Sequence, residues 1–143
     1  MIVETILKAK GRAVHTIAPT ATVAEAVRRL SDLRIGALVV SGDSRTIVGI
    51  LSERDVVQGL AEHGASLMGR AVAELMTRSV ITCGPDDVDS TVLAIMTEHR
   101  MRHVPVVVDG DLYGVVSIGD VVKARLDTVL AEANAMRDYI TRG

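Results

Sequence analysis

The stretch GILSERDVV at residues 49–57 returns as GVVSIGDVV at residues 114–122. Five of the nine positions are identical: a glycine, a serine, an aspartate and two valines. Both copies read as an apolar strand running into Ser-x-x-Asp, where a serine caps a helix and an acid sits in its first turn. The match extends outward from this core. Pro19 and Pro85 lie 66 residues apart, as do Thr16 and Thr82, Arg34 and Arg100, and Ile35 and Met101. Past the turns the offset is 65, because SGDSR in the first copy is replaced by the shorter DGD in the second. The duplication spans residues 12–63 and 78–127.

Each copy has the same internal order. Val14 to Ile17 is a short extended piece stopped by Pro19. Val23, Ala26, Val27, Leu30 and Leu33 then recur at helical spacing, with Thr22 placed to cap. ALVV (37–40) is a β-rich run, SGDSR a turn, and TIVGIL (46–51) the returning strand. Ser52 opens a second helix carrying Val56, Val57 and Leu60. The second copy repeats this with Val92, Leu93 and Met96 on a helix, then VPVVV, DGD, LYGVV and a helix from Ser117. The pattern predicts an α+β fold of strand-helix-strand-strand-helix, twice. One such unit cannot cover its own sheet, so the two pack about a pseudo-twofold axis. The expected division is residues 1–70 for unit 1 with an N-terminal segment, 71–127 for unit 2, and 128–143 for a helical extension.

The bulk properties narrow the function. Of 143 residues, 48% are apolar and 24% charged, enough for a buried core with a charged surface. The net charge is −2, and no basic tract or aromatic platform suits nucleic acid. No run approaches the roughly 18 apolar residues of a membrane span, and the N-terminus does not read as a signal peptide. The single Cys83 excludes an internal disulfide and suits a reducing compartment, so a cytoplasmic location is expected. His15, His63, His99 and His103 lack metal-ligand spacing. Asp86, Asp87 and Asp89 read as the polar start of a helix after Pro85. No phosphate-cradling loop, nucleophile elbow or catalytic triad can be drawn, so an enzyme is not expected.

Two units with this strand-to-helix junction, and RHVPVVVDGDLYGVVSIGDVV (102–122) in particular, resemble a tandem pair of CBS domains, the units named after cystathionine β-synthase. The resemblance implies a regulatory Bateman module that binds adenosine-containing ligands (AMP or ATP, with NAD or S-adenosylmethionine as further candidates) between the units. It implies that Asp55 and Asp120 hold ribose hydroxyls. The chemistry agrees, since an aspartate at a helix start repels phosphate but accepts two hydrogen bonds from a cis-diol. Carried over, one cavity combines Thr16, Ile17, Ile35, Gly36 and Ala37 with Ser117, Asp120, Arg102 and His103. Its counterpart combines Ile81, Thr82, Met101, Arg102 and His103 with Ser52, Arg54 and Asp55. Small Gly36 and Ala37 leave room for an adenine, while Arg102 and His103 offer cationic donors. The Asp120 cavity is expected to suit phosphates at least as well as the other. Three readings of Ser-x-x-Asp and its pockets remain open at this point: helix caps alone, a ligand sensor that signals to a protein target, and a scaffold with vestigial pockets.

The tail carries its own signal. From Asp120 to Thr141 the chain reads as one helix of 22 residues, about 33 Å long. Leu126, Val129, Leu130, Ala133, Met136 and Ile140 form an apolar stripe, with Tyr139 beside it. It either folds back against Ile2, Ile6 and Leu7 or packs on a second copy in a homodimer, the pairing the family resemblance implies.

Overall fold

A computed structural model describes residues 1–142. In the first unit, β1 (Thr16–Ile17) pairs parallel with β2 (Ala37–Val40), which pairs antiparallel with β3 (Gly49–Ser52). Helices α2 (Val23–Leu33) and α3 (Glu53–His63) complete it. In the second unit, β4 (His103–Val108) and β5 (Asp111–Ser117) form the hairpin, and Cys83 joins it through a single parallel bridge to Val106. Its helices are α5 (Asp89–His99) and α6 (Ile118–Arg142). The mixed α/β architecture, two repeats and a long C-terminal helix are as the sequence predicts.

The helix starts follow from local chemistry. Thr22 accepts from the Glu25 amide while Glu25 reaches back to the Thr22 amide, a reciprocal capping box. The apolar positions of α2 that go inside are Val23, Ala26 and Leu30, at helical spacing, while Leu33 stays exposed. The returning strand is shorter than TIVGIL suggests and begins at Gly49. Asp43 explains why. Its carboxylate accepts from the amides of Arg45 and Thr46 and from the hydroxyls of Ser41 and Thr46. Those bonds hold residues 43–46 in a turn and the Asp43 carboxyl well below its usual range.

Two further helices cover the units, and they are exchanged. Helix α1 (Val3–Lys10) precedes unit 1 but buries Val3, Ile6 and Leu7 in the core of unit 2, with Val92, Met96, Val104, Val106 and Val116. Helix α4 (Val72–Leu75), after a 3-10 turn at Gly64–Gly69, precedes unit 2 but packs into the core of unit 1 through Val72 and Met76. The backbone repeats the exchange bond for bond. Val3 N–H donates to the Asp87 carbonyl and Val72 N–H to that of Ala21, both at 2.8 Å. Glu4 N–H meets the Pro85 carbonyl as Ala73 N–H meets that of Pro19.

The cover helices also account for Gly49 and Gly114. A methyl group on Gly49 would lie 2.5 Å from the Met76 sulfur, and one on Gly114 would lie 2.9 Å from a Leu7 methyl. Each glycine is the gap into which the other segment's helix packs. The hairpin turns of the two units touch as well: Leu112 N–H donates to the Arg45 carbonyl, and Arg45 pairs with Asp111 at 3.0 Å.

One expectation needs correction and one alternative is closed. Asp86 and Asp87 precede the helix rather than start it, and Asp87 instead accepts from the Gly84 amide at 2.7 Å. Asp89 does open α5, as a carboxylate only 3% exposed. The tail does not fold back on α1. It continues α6 as one helix of 25 residues, and Leu126, Val129, Leu130, Met136, Tyr139 and Ile140 remain 49–78% exposed.

Candidate functional site

The Ser-x-x-Asp junctions are capping boxes in both units. Ser52 Oγ accepts from the Asp55 amide at 3.3 Å, and Asp55 Oδ2 accepts from the Ser52 amide at 2.9 Å. Ser117 and Asp120 repeat this at 3.1 and 2.9 Å. Strand register sets what faces them. Ala37 pairs with Ser52, and His103 pairs with Ser117. The carbonyl before each also binds the following helix: Gly36 accepts from Glu53 and Arg102 from Ile118. Arg34 and Arg100, which end α2 and α5, both take left-handed backbone (φ 54° and 52°) and turn the chain into these strands.

Around Asp55 lies an open cleft of about 610 Å³ between the units. Ser52, Arg54 and Asp55 form one side, and Ile81, Met101, Arg102 and His103 the other, as the sequence predicts for one of its two cavities. Gly36 and Ala37 line it too, whereas the family resemblance implies the opposite cavity for both. Sequence reasoning missed Glu53, Thr77, Ser79, Val80, His99 and Arg100. Thr77 arrives because the segment after α4 adds to the edge of β3, exchanging backbone bonds with Ile50 at 3.0 and 2.9 Å. Its hydroxyl then lies 3.3 Å from Asp55 Oδ1. Arg54 Nη1 donates to the Arg100 carbonyl at 3.0 Å, tying the rim of one unit to the other. Thr82 does not line this cleft.

The Asp120 side differs. Lys10 Nζ, from the last turn of α1, donates to Asp120 Oδ2 at 2.5 Å and to the Val115 carbonyl at 3.0 Å. Val115 is the counterpart of Ile50, so a lysine head here takes the carbonyl that Thr77 N–H takes in the other unit. Burial alone would raise the Asp120 carboxyl, but bonds from Lys10 and the Ser117 amide, with the lysine charge, hold it below its ordinary value. His103 packs on Gly36, where an added methyl would come within 2.9 Å of its ring. Burial, helped by Lys10 against the pull of Glu53 and Asp120, keeps that imidazole below its ordinary value.

The remaining members of the predicted Asp120 cavity are engaged elsewhere. Ile17 is buried in the core of unit 1, and Ile35 packs half-buried against it. Thr16 bonds Ser44 through its hydroxyl and Arg29 through its carbonyl. Cys83 is buried, and burial pushes its thiol up to about 12, so it packs rather than reacts. Among the described residues no group of His, Cys, Asp or Glu is arranged to hold a metal, and no helix is long and apolar enough to cross a membrane.

A duplicated unit with a capped junction in each copy, the first of which opens on an inter-unit cleft, defines a paired module. The family model for the CBS domain matches twice, over residues 10–62 and 72–127. The chain belongs to that family and is a tandem CBS pair. It is 35% identical over 126 residues to the mitochondrial CBS domain-containing protein CBSX3 of Arabidopsis thaliana, covering 85% of this chain and 61% of that protein. Among solved structures, a CBS-domain-containing protein from Agrobacterium tumefaciens is similar with a TM-score of 0.84 and 42% identity, over 87% of this chain and 92% of that one. A CBS domain protein from Pyrobaculum aerophilum, complexed with AMP, is similar with a TM-score of 0.74 and 29% identity, over 84% and 89%. A CBS pair in complex with 5′-methylthioadenosine and S-adenosylmethionine has a TM-score of 0.73 at 25% identity, over 87% and 98%.

Proposed function

We propose that this chain is a cytoplasmic regulatory module, not an enzyme, which binds an adenosine-containing ligand in the Asp55 cleft and presents the bound state to a protein target. One observation carries the reading: a cleft of about 610 Å³ is lined by Asp55 and Glu53 together with Arg54, Arg100 and Arg102. That volume lies within the usual range for small-molecule sites, about 300–1,000 Å³. Asp55 Oδ2 is committed to the cap, whereas Oδ1 meets only the Thr77 hydroxyl and is placed to accept from a ribose diol. Ala37 adds only a small side chain where an adenine would lie, and the arginines suit phosphates. AMP and ATP fit this division of charge best. NAD and S-adenosylmethionine share the adenosine half. The AMP and S-adenosylmethionine complexes of similar pairs support the ligand class. The cytoplasmic assignment rests on the lone, buried Cys83.

Calorimetry with each of the four ligands tests this. Asp55→Ala should weaken the ligand that binds by about 1.5–3 kcal/mol, the range for bonds to a charged group. Unchanged affinity sinks the assignment, and binding by none of the four favours a scaffold.

The exposed stripe of α6 supports a homodimer, since an apolar face of this length is a liability in water. Light scattering should give twice the 15.2 kDa chain mass, and removing residues 128–143 should weaken the pairing. A monomer at tens of micromolar overturns it.

A further inference from the structure

Two histidines line the cleft beside Asp55, and of these His103 is half-buried at the joint between the units while His99 is exposed. His103 opens β4 of unit 2, yet its ring lies on Gly36 of unit 1. A methyl group added to Gly36 would come within 2.9 Å of the ring carbon Cε1 and 3.4 Å of Nε2. The carboxyl carbon of Glu53 lies 3.8 Å from the same point. An imidazole edge from one unit and a carboxylate from the other therefore meet over one glycine, and all three residues belong to the cleft wall.

Four charges act on that ring. Lys10 comes from the last turn of α1, Arg102 stands just before β4, Glu53 is in the first turn of α3 and Asp120 in that of α6. Two cations oppose two anions, so burial decides and keeps the imidazole neutral at pH 7. A ligand phosphate changes the balance. Drawn to Arg100 and Arg102, it enters the wall that His103 shares and adds negative charge beside the ring. A nearby anion favours the imidazolium, and the proton gained is a further charged donor to the phosphate. A neutral nucleoside brings no such charge and leaves the ring as it was.

We propose that this cleft binds anionic ligands together with a proton, taken from solvent and carried by His103 at the joint between the units. Acidification then tightens a phosphorylated nucleoside and not the nucleoside alone. This rests on the nucleoside reading of the Asp55 cleft and adds to it a coupling to pH.

Calorimetric titration of the full chain with AMP and with adenosine tests it, between about pH 7 and 5.5 and in buffers of different ionisation enthalpy. The AMP phosphate itself titrates near about pH 6, so each value is read against His103→Gln, where the ligand's own share is the same. The unaltered protein should take up more protons per AMP than the variant. Its AMP affinity should gain on the variant's as pH falls, by at most about tenfold per pH unit, the limit for one linked proton. Adenosine should show no such gain. Glu53→Gln leaves the ring in place but withdraws an anion from it, and should move the uptake to lower pH. Equal proton uptake with AMP in the unaltered protein and His103→Gln overturns the proposal while leaving the cleft standing. So does an equal gain with adenosine, or an uptake that Glu53→Gln does not move. No binding of AMP to the unaltered protein removes both readings.

Discussion

The two halves of this molecule share a plan and differ at the point where a ligand would meet it. At Asp55 the neighbour is a threonine hydroxyl 3.3 Å away, and the space in front is open. At Asp120 it is a lysine ammonium 2.5 Å away. Neither difference lies within Ser-x-x-Asp. Both come from the covering segment, which belongs by sequence to the other unit. Duplication copies a scaffold faithfully, and the connection between copies is where the two sites diverge.

The comparison can be broken first at the cover helices. Leu7 is fully buried and Met76 is 8% exposed, in matching positions against Gly114 and Gly49. Leu7→Ala should cost about 2–5 kcal/mol in urea unfolding, with Met76→Ala toward the lower end of that range. Equal and negligible losses would show that the exchanged helices do not hold the cores.

Next come the glycines that receive those side chains. Gly49→Ala and Gly114→Ala should each cost about 1–3 kcal/mol by overpacking. Gly49 should be the worse, because its added methyl also meets the Thr77 carbonyl at 3.0 Å, while Gly114 faces only a leucine able to turn. The reverse order in thermal melts would place the rigid packing in the wrong unit.

The smallest effect is one of pH, and it sharpens the asymmetry. His103 is held below its ordinary value of 6.5, whereas its counterpart in the first unit, Ala37, has nothing to titrate. As pH falls below about 6.5 the unfolded chain takes up a proton that the folded imidazole refuses. Stability should therefore decline from that point down to the folded value. His103→Gln should flatten the decline measured between about pH 7 and 5. An unaltered slope would mean that the ring carries no such burial penalty.

Much of this was legible in the residues. The repeat, the capping boxes and the helical faces are local, so spacing reveals them. Ser52, Arg54, Asp55, Ile81, Met101, Arg102 and His103 do converge on one cleft. What stayed hidden is non-local. Ile17 alternates inward on a two-residue strand, so it serves the core rather than a cavity. Thr77 reaches Asp55 only because its backbone extends β3, and Lys10 reaches Asp120 only because α1 runs a turn longer than α4. The change of offset from 66 to 69 was available in the sequence, but it acquires meaning only once Leu7 and Met76 are seen in equivalent places.

The exchange of cover helices also bears on how such a chain can be taken apart. Cut between residues 70 and 71, each fragment keeps a lid that fits the other, with α1 on the first piece and α4 on the second. Either fragment alone leaves an apolar face bare, so the pieces should be insoluble singly and recover together in equal amounts. The chain has the form of a fused pair of swapped subunits. A one-unit forerunner would have had to trade lids with its twin before the two were joined.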